Sequence, residues 1–328
     1  MDSQGPEVPS VLESDDFIRD SVWRRLDAGT KPPAVELVRY RAGVVEYRFG
    51  NHRSVVAKPF DDAAKGAAAY AIQRALWEGG FGAGANYRVP EPIAYLPDER
   101  VVLMEVALGQ RLRELAMDDR EAWHEGLRGA ARWLAALHSS PHRLGPTEDS
   151  TRLALHMARR VAQTAARRPD VEQTLVGLLD ELAARSPPPG RAIPEVQTHG
   201  RYAPLHVYVA SDCITVIDTD RATPGDPAKD VGEFIHRLRD NLMMARLEEL
   251  ADRASSTFLE EYARESAADL TRLAFYWSYS VLFTILVRTR KASVDDADEL
   301  DRRKFYEAEF AAIPRRVAEY ALVRKGES

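Results

Sequence analysis

The chain has 328 residues, of which 45% are hydrophobic and 29% are charged, and its formal net charge is -6 at pH 7. This composition is typical of a soluble folded protein, and the length predicts two domains because single cores stop growing near about 250 to 300 residues. The acidic balance, with no basic stripe interleaved with aromatic residues, argues against nucleic acid as a partner. The longest apolar run, 282–287, is too short to cross a bilayer, and the N-terminus lacks a signal pattern. We therefore expect a cytoplasmic protein without a membrane partner.

The first third of the chain predicts a small antiparallel sheet. Residues 1–31 predict a tail followed by a helix around Phe17 to Trp23. Three β-rich runs, VELVRYRAG, VVEYRFG and SVVAKPF, are separated by glycines and predict a meander whose last strand ends at Lys58. The alanine-rich segment 62–78 predicts a helix, and strands at 93–96 and 101–105 follow it.

The rest of the chain predicts a mostly helical domain. Apolar residues at helical spacing predict one helix that ends at His138 and a second that runs over 153–184, before the SPPPG segment. Short strands are expected at 207–209 and 214–217, and residues after Ala228 are expected to be helical. Cys213, the single cysteine, follows the pattern of a core residue rather than a nucleophile.

Three polar side chains stand at the ends of two predicted strands. Lys58 closes the run VVAK, Asp218 directly follows the apolar strand 214–217, and Asp220 comes two residues later. A lysine suits nucleotide phosphates and paired carboxylates suit Mg²⁺, so the set favours phosphoryl transfer. The alternatives are a solvated surface lysine, an Asp218 that caps a turn, and an Asp220 that pairs with Arg221.

The segments VVAK, LMEVALGQRL, HGRYAPLHVYV and VIDTDRATPGDPAKDVGEF occur in this order, and together they resemble the aminoglycoside phosphotransferase and choline kinase-like branch of the protein-kinase fold. The resemblance covers roughly 35–288. It implies an α+β, bilobal fold: after 1–31, a small antiparallel β lobe over 32–107 and a larger helical lobe over 108–328.

The same resemblance implies roles for individual residues. Lys58 would contact ATP phosphates, Asp218 would bind Mg²⁺, and the hinge residues would offer backbone groups to adenine; these are Glu105, Val106 and Ala107. Asp226 and Asp230 would be structural acids, a role compatible with capping a helix N-terminus.

Two positions depart from the family loop, which reads His-Gly-Asp, four residues, then Asn. Here Arg201 replaces the acid and His206 replaces the amide. Arginine stays protonated and cannot be a base, but it can bind phosphate or pair with Asp218 or Asp220 in place of a metal ion. His206 can bind a divalent ion through nitrogen, which Mn²⁺ tolerates better than Mg²⁺. Asp220 is then the candidate for orienting the acceptor hydroxyl.

The helix after Lys58 also lacks the usual acid. It offers Gln73 about fifteen residues on, and Glu78 lies further along, so the usual lysine–glutamate pair is not expected.

Two functional hypotheses follow from these residues. The first is an ATP-dependent phosphotransferase that acts on a hydroxyl of a small molecule or on a Ser/Thr of a biosynthetic peptide. The second, favoured by Arg201 and His206, is a pseudokinase that binds nucleotide, a partner protein or a peptide without phosphoryl transfer. An unrelated α+β binding protein would require four ordered motifs to coincide. Acidic clusters at 248–252, 260–265 and 295–299 could bind a cationic acceptor or form solvated helix faces.

Overall fold

The computed structural model describes residues 10–26, 31–50, 53–146, 150–186, 195–291 and 297–326. The chain forms two compact units: Met1–Arg111 with His206–Arg221, and Leu112–Leu205 with Ala222–Ser328. The predicted domain boundaries after residues 31 and 107 remain a prediction. Within the described residues, no helix is both long and apolar enough to cross a membrane.

The strands, in chain order, are β1 (Val35–Arg39), β2 (Val45–Phe49), β3 (Ser54–Pro59), β4 (Tyr87–Arg88), β5 (Pro92–Leu96), β6 (Val101–Glu105), β7 (Gln110–Arg111), β8 (Val196–Thr198), β9 (Val207–Val209), β10 (Ile214–Val216) and β11 (Thr223–Gly225). The α-helices are α1 (Arg24–Leu26), α2 (Ala63–Leu76), α3 (Leu112–Asp118), α4 (Arg120–Ser139), α5 (Ser150–Ala165), α6 (Glu172–Ala184), α7 (Pro227–Met244), α8 (Ala251–Glu265), α9 (Leu273–Thr289) and α10 (Ala297–Gly326).

A five-stranded sheet forms the core of the first unit. Its order is β1-β2-β3-β6-β5, and every neighbouring pair is antiparallel, as the meander predicted. A π-helical segment, Phe17–Trp23, buries its apolar side chains in the same core as Tyr47. The Tyr47 hydroxyl donates a hydrogen bond to the Leu12 carbonyl at 2.8 Å, which ties the start of the described chain to β2. The predicted N-terminal helix is therefore an integral layer of this unit.

A second sheet of the first unit carries the polar segment 206–221. Its order is β4-β10-β9-β7, with β10 parallel to β4 and antiparallel to β9. Strand β10 is fully buried, and Cys213 just before it is buried as well, which confirms the expectation of a core cysteine.

The described residues of the second unit form helices and one short strand pair, β8–β11. The prediction of one helix over 153–184 is wrong: α5 ends at Ala165, and α6 begins at Glu172 after a 3-10 turn, Pro169–Val171. Proline has no backbone N–H and disfavours helical geometry in the residue before it, so the helix breaks there. Helicity beyond Ala228 is confirmed, and Phe275, Tyr276 and Trp277 are buried core residues. Most of the SPPPG segment lies outside the described residues.

Gly109 allows β7 to approach β9 closely. Its φ is +93°, and a Cβ added there would clash with the carbonyl oxygen of Val209. We expect Gly109→Ala to lower the free energy of unfolding by about 2–4 kcal/mol, from left-handed strain plus a backbone clash. Chemical denaturation tests this, with Gly84→Ala as control. Gly84 has φ +80° but nothing within 4 Å, so it should lose only about 1 kcal/mol. Equal losses in the two variants would show that the contact with β9 is unimportant.

Candidate active site

Lys58 is bound by two carboxylates in the first unit. Its ammonium donates to Asp218 Oδ1 at 2.5 Å and to Asp220 Oδ1 at 2.9 Å. The three side chains are 23%, 27% and 25% exposed, so the group is shielded from water without being sealed from it. The structure thus brings together the three polar residues that the sequence placed at strand ends. Lys58 is not a solvated surface lysine.

Asp218 is held in an unusual backbone conformation. Its φ is +70°, in the left-handed region that non-glycine residues rarely adopt. Such a residue costs on the order of 1 kcal/mol and persists where its surroundings hold it in place, often at functional sites. Here Lys58 binds one carboxylate oxygen, and His206 Nε2 lies 3.4 Å from the other. The backbone is fixed as well, since the Ile217 N–H donates to the His206 carbonyl at 3.0 Å.

The charges in this cluster reinforce one another. Burial raises the pKa of Asp218, but Lys58 and then His206 outweigh it, so that the pKa lies below the ordinary aspartate value. For Lys58 the opposite holds: burial lowers its pKa, and the charges of Asp218 and Asp220 raise it above the ordinary lysine value. The ammonium and the Asp218 carboxylate are therefore both charged at neutral pH.

The charge coupling between Lys58 and Asp218 predicts how the stability of a Lys58→Met variant depends on pH. Because the pKa of Asp218 is lowered, its stabilising effect is fully present above the ordinary aspartate pKa and is lost as pH falls through the lower folded-state value. Without Lys58, burial raises this pKa. We expect the free energy of unfolding of the variant to be about 2 kcal/mol below that of the wild type at neutral pH. This difference between the two proteins should become smaller towards about pH 3.5. Urea denaturation across this range measures it, and a gap independent of pH would contradict the coupling.

The predicted hinge lies at the end of β6. The Glu105 N–H donates to the Glu91 carbonyl at 2.9 Å, and its carboxylate accepts hydrogen bonds from Arg88 and from the Glu91 N–H, both at 3.2 Å. Val106 and Ala107 follow as half-buried residues outside regular structure. Their contact with adenine remains a prediction.

Both side chains that the helix after Lys58 offered, Gln73 and Glu78, have partners other than Lys58. Gln73 on α2 donates to the Pro90 carbonyl at 2.8 Å, and Glu78 pairs with Arg74 at 2.7 Å. Lys58 instead takes its two carboxylates from the segment after β10.

The loop that carries Arg201 is anchored in the second unit by Asp230. Its carboxylate accepts the N–H groups of His199 at 2.6 Å and of Gly200 at 2.9 Å. His138 Nε2 lies 3.3 Å from the same carboxylate, and its Nδ1 lies 2.6 Å from the Tyr262 hydroxyl. Burial raises the pKa of Asp230, but the bond from His138 and the other donors lower it overall. Asp230 therefore serves the structural role that the resemblance implied.

Tyr202 fixes the other side of this loop, and sequence reasoning missed it. Its hydroxyl donates to the Ala130 carbonyl at 2.8 Å, and its ring stacks on Trp133 at 5.6 Å and on Phe234 at 5.1 Å. The aromatic residue inside a polar loop was the available signal. Arg201 itself is exposed and belongs to the second unit, whereas Lys58, His206 and the two aspartates belong to the first.

Asp226 caps helix α7, as predicted. Its carboxylate accepts the Ala228 N–H at 2.9 Å and pairs with Arg272 at 2.6 Å, with both side chains buried. Burial raises the pKa of Asp226 despite the opposing effects of these partners.

The donor set fits a divalent cation held jointly by protein and substrate. Among the described residues, no three His, Cys, Asp or Glu side chains are arranged to hold a metal ion by themselves. Mg²⁺ usually takes one or two carboxylates and completes its shell with water and substrate phosphates. Asp218 and Asp220 have this chemistry, and each keeps one carboxylate oxygen that Lys58 does not bind. The predicted metal contact through His206 remains a prediction.

Comparisons with known proteins bear on the family and the fold of the chain. Residues 27–276 match the family model described as phosphotransferase enzyme family. An aminoglycoside phosphotransferase from Alicyclobacillus acidocaldarius has TM-score 0.63 and 15% identity, covering 99% of this chain and 97% of that one. A choline/ethanolamine kinase family protein from Mesorhizobium loti has TM-score 0.60 and 14% identity, covering 96% and 99%. Amicoumacin kinase in complex with AMP-PNP and Ca²⁺ has TM-score 0.61 and 13% identity, covering 88% and 95%.

At these identities the structures bear on the fold alone, and they confirm the predicted α+β, protein-kinase-like fold. No curated protein matches the chain in sequence.

Proposed function

The chain belongs to the phosphotransferase enzyme family, and from this premise we propose that it transfers the γ-phosphoryl group of ATP to a hydroxyl group. The acceptor is a small molecule or a Ser/Thr side chain of a biosynthetic peptide, and the proposed location is the cytoplasm. The observation that carries the proposal is the pair of contacts that Lys58 makes with Asp218 and Asp220. Phosphoryl transfer requires a cation for the phosphates, a ligand for a metal ion and a group that orients the acceptor hydroxyl, and these three side chains have that chemistry.

Each residue of the cluster has a proposed task. Lys58 binds the α- and β-phosphates, and the backbone of Glu105 to Ala107 binds adenine. Asp218, with His206 beside it, binds Mg²⁺ or Mn²⁺, which neutralises phosphate charge when bound. Arg201 contributes a fixed positive charge for phosphate oxygens, a proposal that rests on its position in the loop.

In the reaction, the acceptor hydroxyl oxygen forms a bond to the γ-phosphorus while the bond from that phosphorus to the β–γ bridging oxygen breaks. Asp220 orients the hydroxyl and accepts its proton, and ADP leaves with the bridging oxygen. Because the transition state of phosphoryl transfer is loose, positioning and charge matter more than proton removal. The replacement of the loop acid by Arg201 is therefore compatible with turnover.

A pseudokinase is the second candidate, and Arg201 and His206 favour it. Neither residue has the chemistry of the acid and amide that the family loop carries, while Lys58 and Asp218 keep the chemistry of nucleotide binding. Such a protein would bind nucleotide, a partner protein or a peptide without transfer.

An Arg201→Asp variant separates the two candidates. The wild type should be stabilised in thermal denaturation by ATP with Mg²⁺ or Mn²⁺ and should form ADP slowly with water as the acceptor. We expect the rate of ADP formation by Arg201→Asp to be about one tenth of the wild-type rate or lower. The reason is that a repulsive charge replaces an attractive one near phosphate. A faster variant would show that Arg201 replaced a needed acid and would favour the pseudokinase. Absence of any nucleotide effect on the wild type would overturn the proposal.

A further inference from the structure

Helix α5 and the turn after it are strongly basic in an acidic chain. Between Asp149 and Asp170 there is no acidic residue, but there are five arginines and one histidine. The chain as a whole has a formal net charge of -6, so this concentration of positive charge runs against its overall balance. The segment also contains no aromatic residue.

Much of this positive charge lies on the exposed side of the helix. Met157, Val161 and Ala165 are buried and anchor the helix in the second unit. On the other side, three exposed helical positions recur at intervals of three or four residues and form one stripe: His156, Arg159 and Gln163. At 1.5 Å per residue this helical part is about 10 Å long, and exposed Arg167 extends the stripe in the turn after the helix. Leu155, which is 52% exposed, lies beside its first member.

Two arginines of this stripe lack acidic partners. Within the described part of the chain, neither Arg159 nor Arg167 makes an ion pair. The two neighbouring arginines are engaged: Arg168 pairs with Asp170 at 2.7 Å, and Arg160 donates to His156 Nε2 at 3.0 Å. Arg160 also lies 4.8 Å from the centroid of the Phe283 ring on α9. Arg160 and Arg168 are therefore held by contacts within the protein, whereas Arg159 and Arg167 extend into solvent.

Several helices of this protein pair arginines with nearby acids. Arg128, Arg237 and Arg315 each pair with a glutamate three or four residues away on the same helix, and Arg185, just after the end of α6, pairs with Glu181 on that helix. Such pairs are the usual form of a solvated charged helix face. Helix α5 has no acid to supply them, so its stripe offers uncompensated positive charge to another molecule.

We propose that this stripe, His156 to Arg167, binds an acidic peptide segment of a partner protein. Glutamate or aspartate side chains spaced over about 10 to 16 Å would meet Arg159 and Arg167, and Leu155 would contact an apolar residue beside them. A single-stranded nucleic acid fits less well, because sequence-tolerant binding of that kind uses aromatic residues for base stacking. The rings of α9 next to the stripe do not serve this purpose, since His156 contacts Tyr279 and Arg160 covers Phe283. The proposal goes beyond phosphoryl transfer and does not depend on it.

Fluorescence anisotropy with the full chain tests the stripe. The probe is a labelled helical peptide of alanine with glutamate at every third or fourth position, measured without nucleotide near about 0.15 M salt. The double variant Arg159→Glu/Arg167→Glu should bind it at least about tenfold more weakly, and Arg159→Gln/Arg167→Gln should be intermediate. The matched control is Arg113→Glu/Arg120→Glu, which makes the same change in net charge at exposed positions of α3 and α4. It should stay within about twofold of the wild type.

Three results would overturn the proposal: no binding of the acidic peptide by the wild type, an equal loss in the control variant, or tighter binding of a single-stranded oligonucleotide of the same charge at this stripe. ADP formation by the stripe variant is measured in parallel. Because no residue of the stripe belongs to the group formed by Lys58, Asp218 and Asp220, that rate should match the wild type whether or not the peptide binds. Failure of peptide binding is therefore distinct from failure of phosphoryl transfer.

Discussion

Asp230→Ala is expected to lower the free energy of unfolding by about 3 to 5 kcal/mol. The fully buried carboxylate accepts the N–H groups of His199 and Gly200 and binds His138. Alanine leaves these donors without an acceptor where water cannot replace it, and each orphaned donor costs about 1 to 3 kcal/mol. Urea denaturation followed by circular dichroism measures the change.

Asp180→Ala is the matched control for this change. Asp180 is exposed on α6, so its removal should alter stability by at most about 0.5 kcal/mol. If Asp230→Ala cost less than about 1 kcal/mol, the loop would be able to find other acceptors, and Asp230 would not be its anchor.

The larger elements could be predicted because their residue patterns are long or are bounded by clear turn residues such as glycine. Three alternating runs separated by glycines gave β1, β2 and β3, and the alanine-rich run gave α2. The residues of the active-site cluster were also visible, since Lys58, Asp218 and Asp220 follow apolar strands that dictate where each side chain emerges.

Strands β4, β7, β8 and β11 were missed because, unlike the short strands β9 and β10, they are not continuous runs of β-branched or aromatic residues. Strands β4 and β7 have two residues each, and β8 and β11 have three, so their existence depends on pairing with distant partners. The break between α5 and α6 did have a local signal, the proline at 169, which the helical spacing on both sides obscured.

The second feature that could not be predicted from the sequence is which side chains pair with each other. Nothing in the sequence indicates that Lys58 binds both aspartates 160 and 162 residues later, or that Arg272 reaches back to Asp226. The left-handed backbone of Asp218 was equally hidden, because aspartate is common in ordinary turns. Motifs thus indicated which groups belong to the candidate site, while the fold determined how those groups share charge.

The contacts of Lys58 with two carboxylates affect how a metal ion would bind at the proposed site. Asp218 and Asp220 each give one oxygen to the ammonium, and a divalent ion with ATP would add positive charge beside it. Like charges repel, so the proposed site accommodates the ion only if ATP phosphates neutralise part of the total. ATP and the metal ion should therefore bind cooperatively, with Asp218 as the main protein ligand.

Asp218→Asn should remove this cooperativity. In the wild type, adding Mg²⁺ or Mn²⁺ should tighten ATP binding in calorimetry, whereas in the variant the two conditions should agree within about twofold, since a neutral amide is a poor substitute for a carboxylate ligand. ADP formation should fall by at least about 100-fold because charge stabilisation at the phosphates is lost. Asp212→Asn, at an exposed turn between β9 and β10, makes the same chemical change outside the cluster and should match the wild type in both measurements. An Asp218→Asn protein that kept the metal effect on ATP binding would place the ion on other ligands and contradict the role proposed for Asp218.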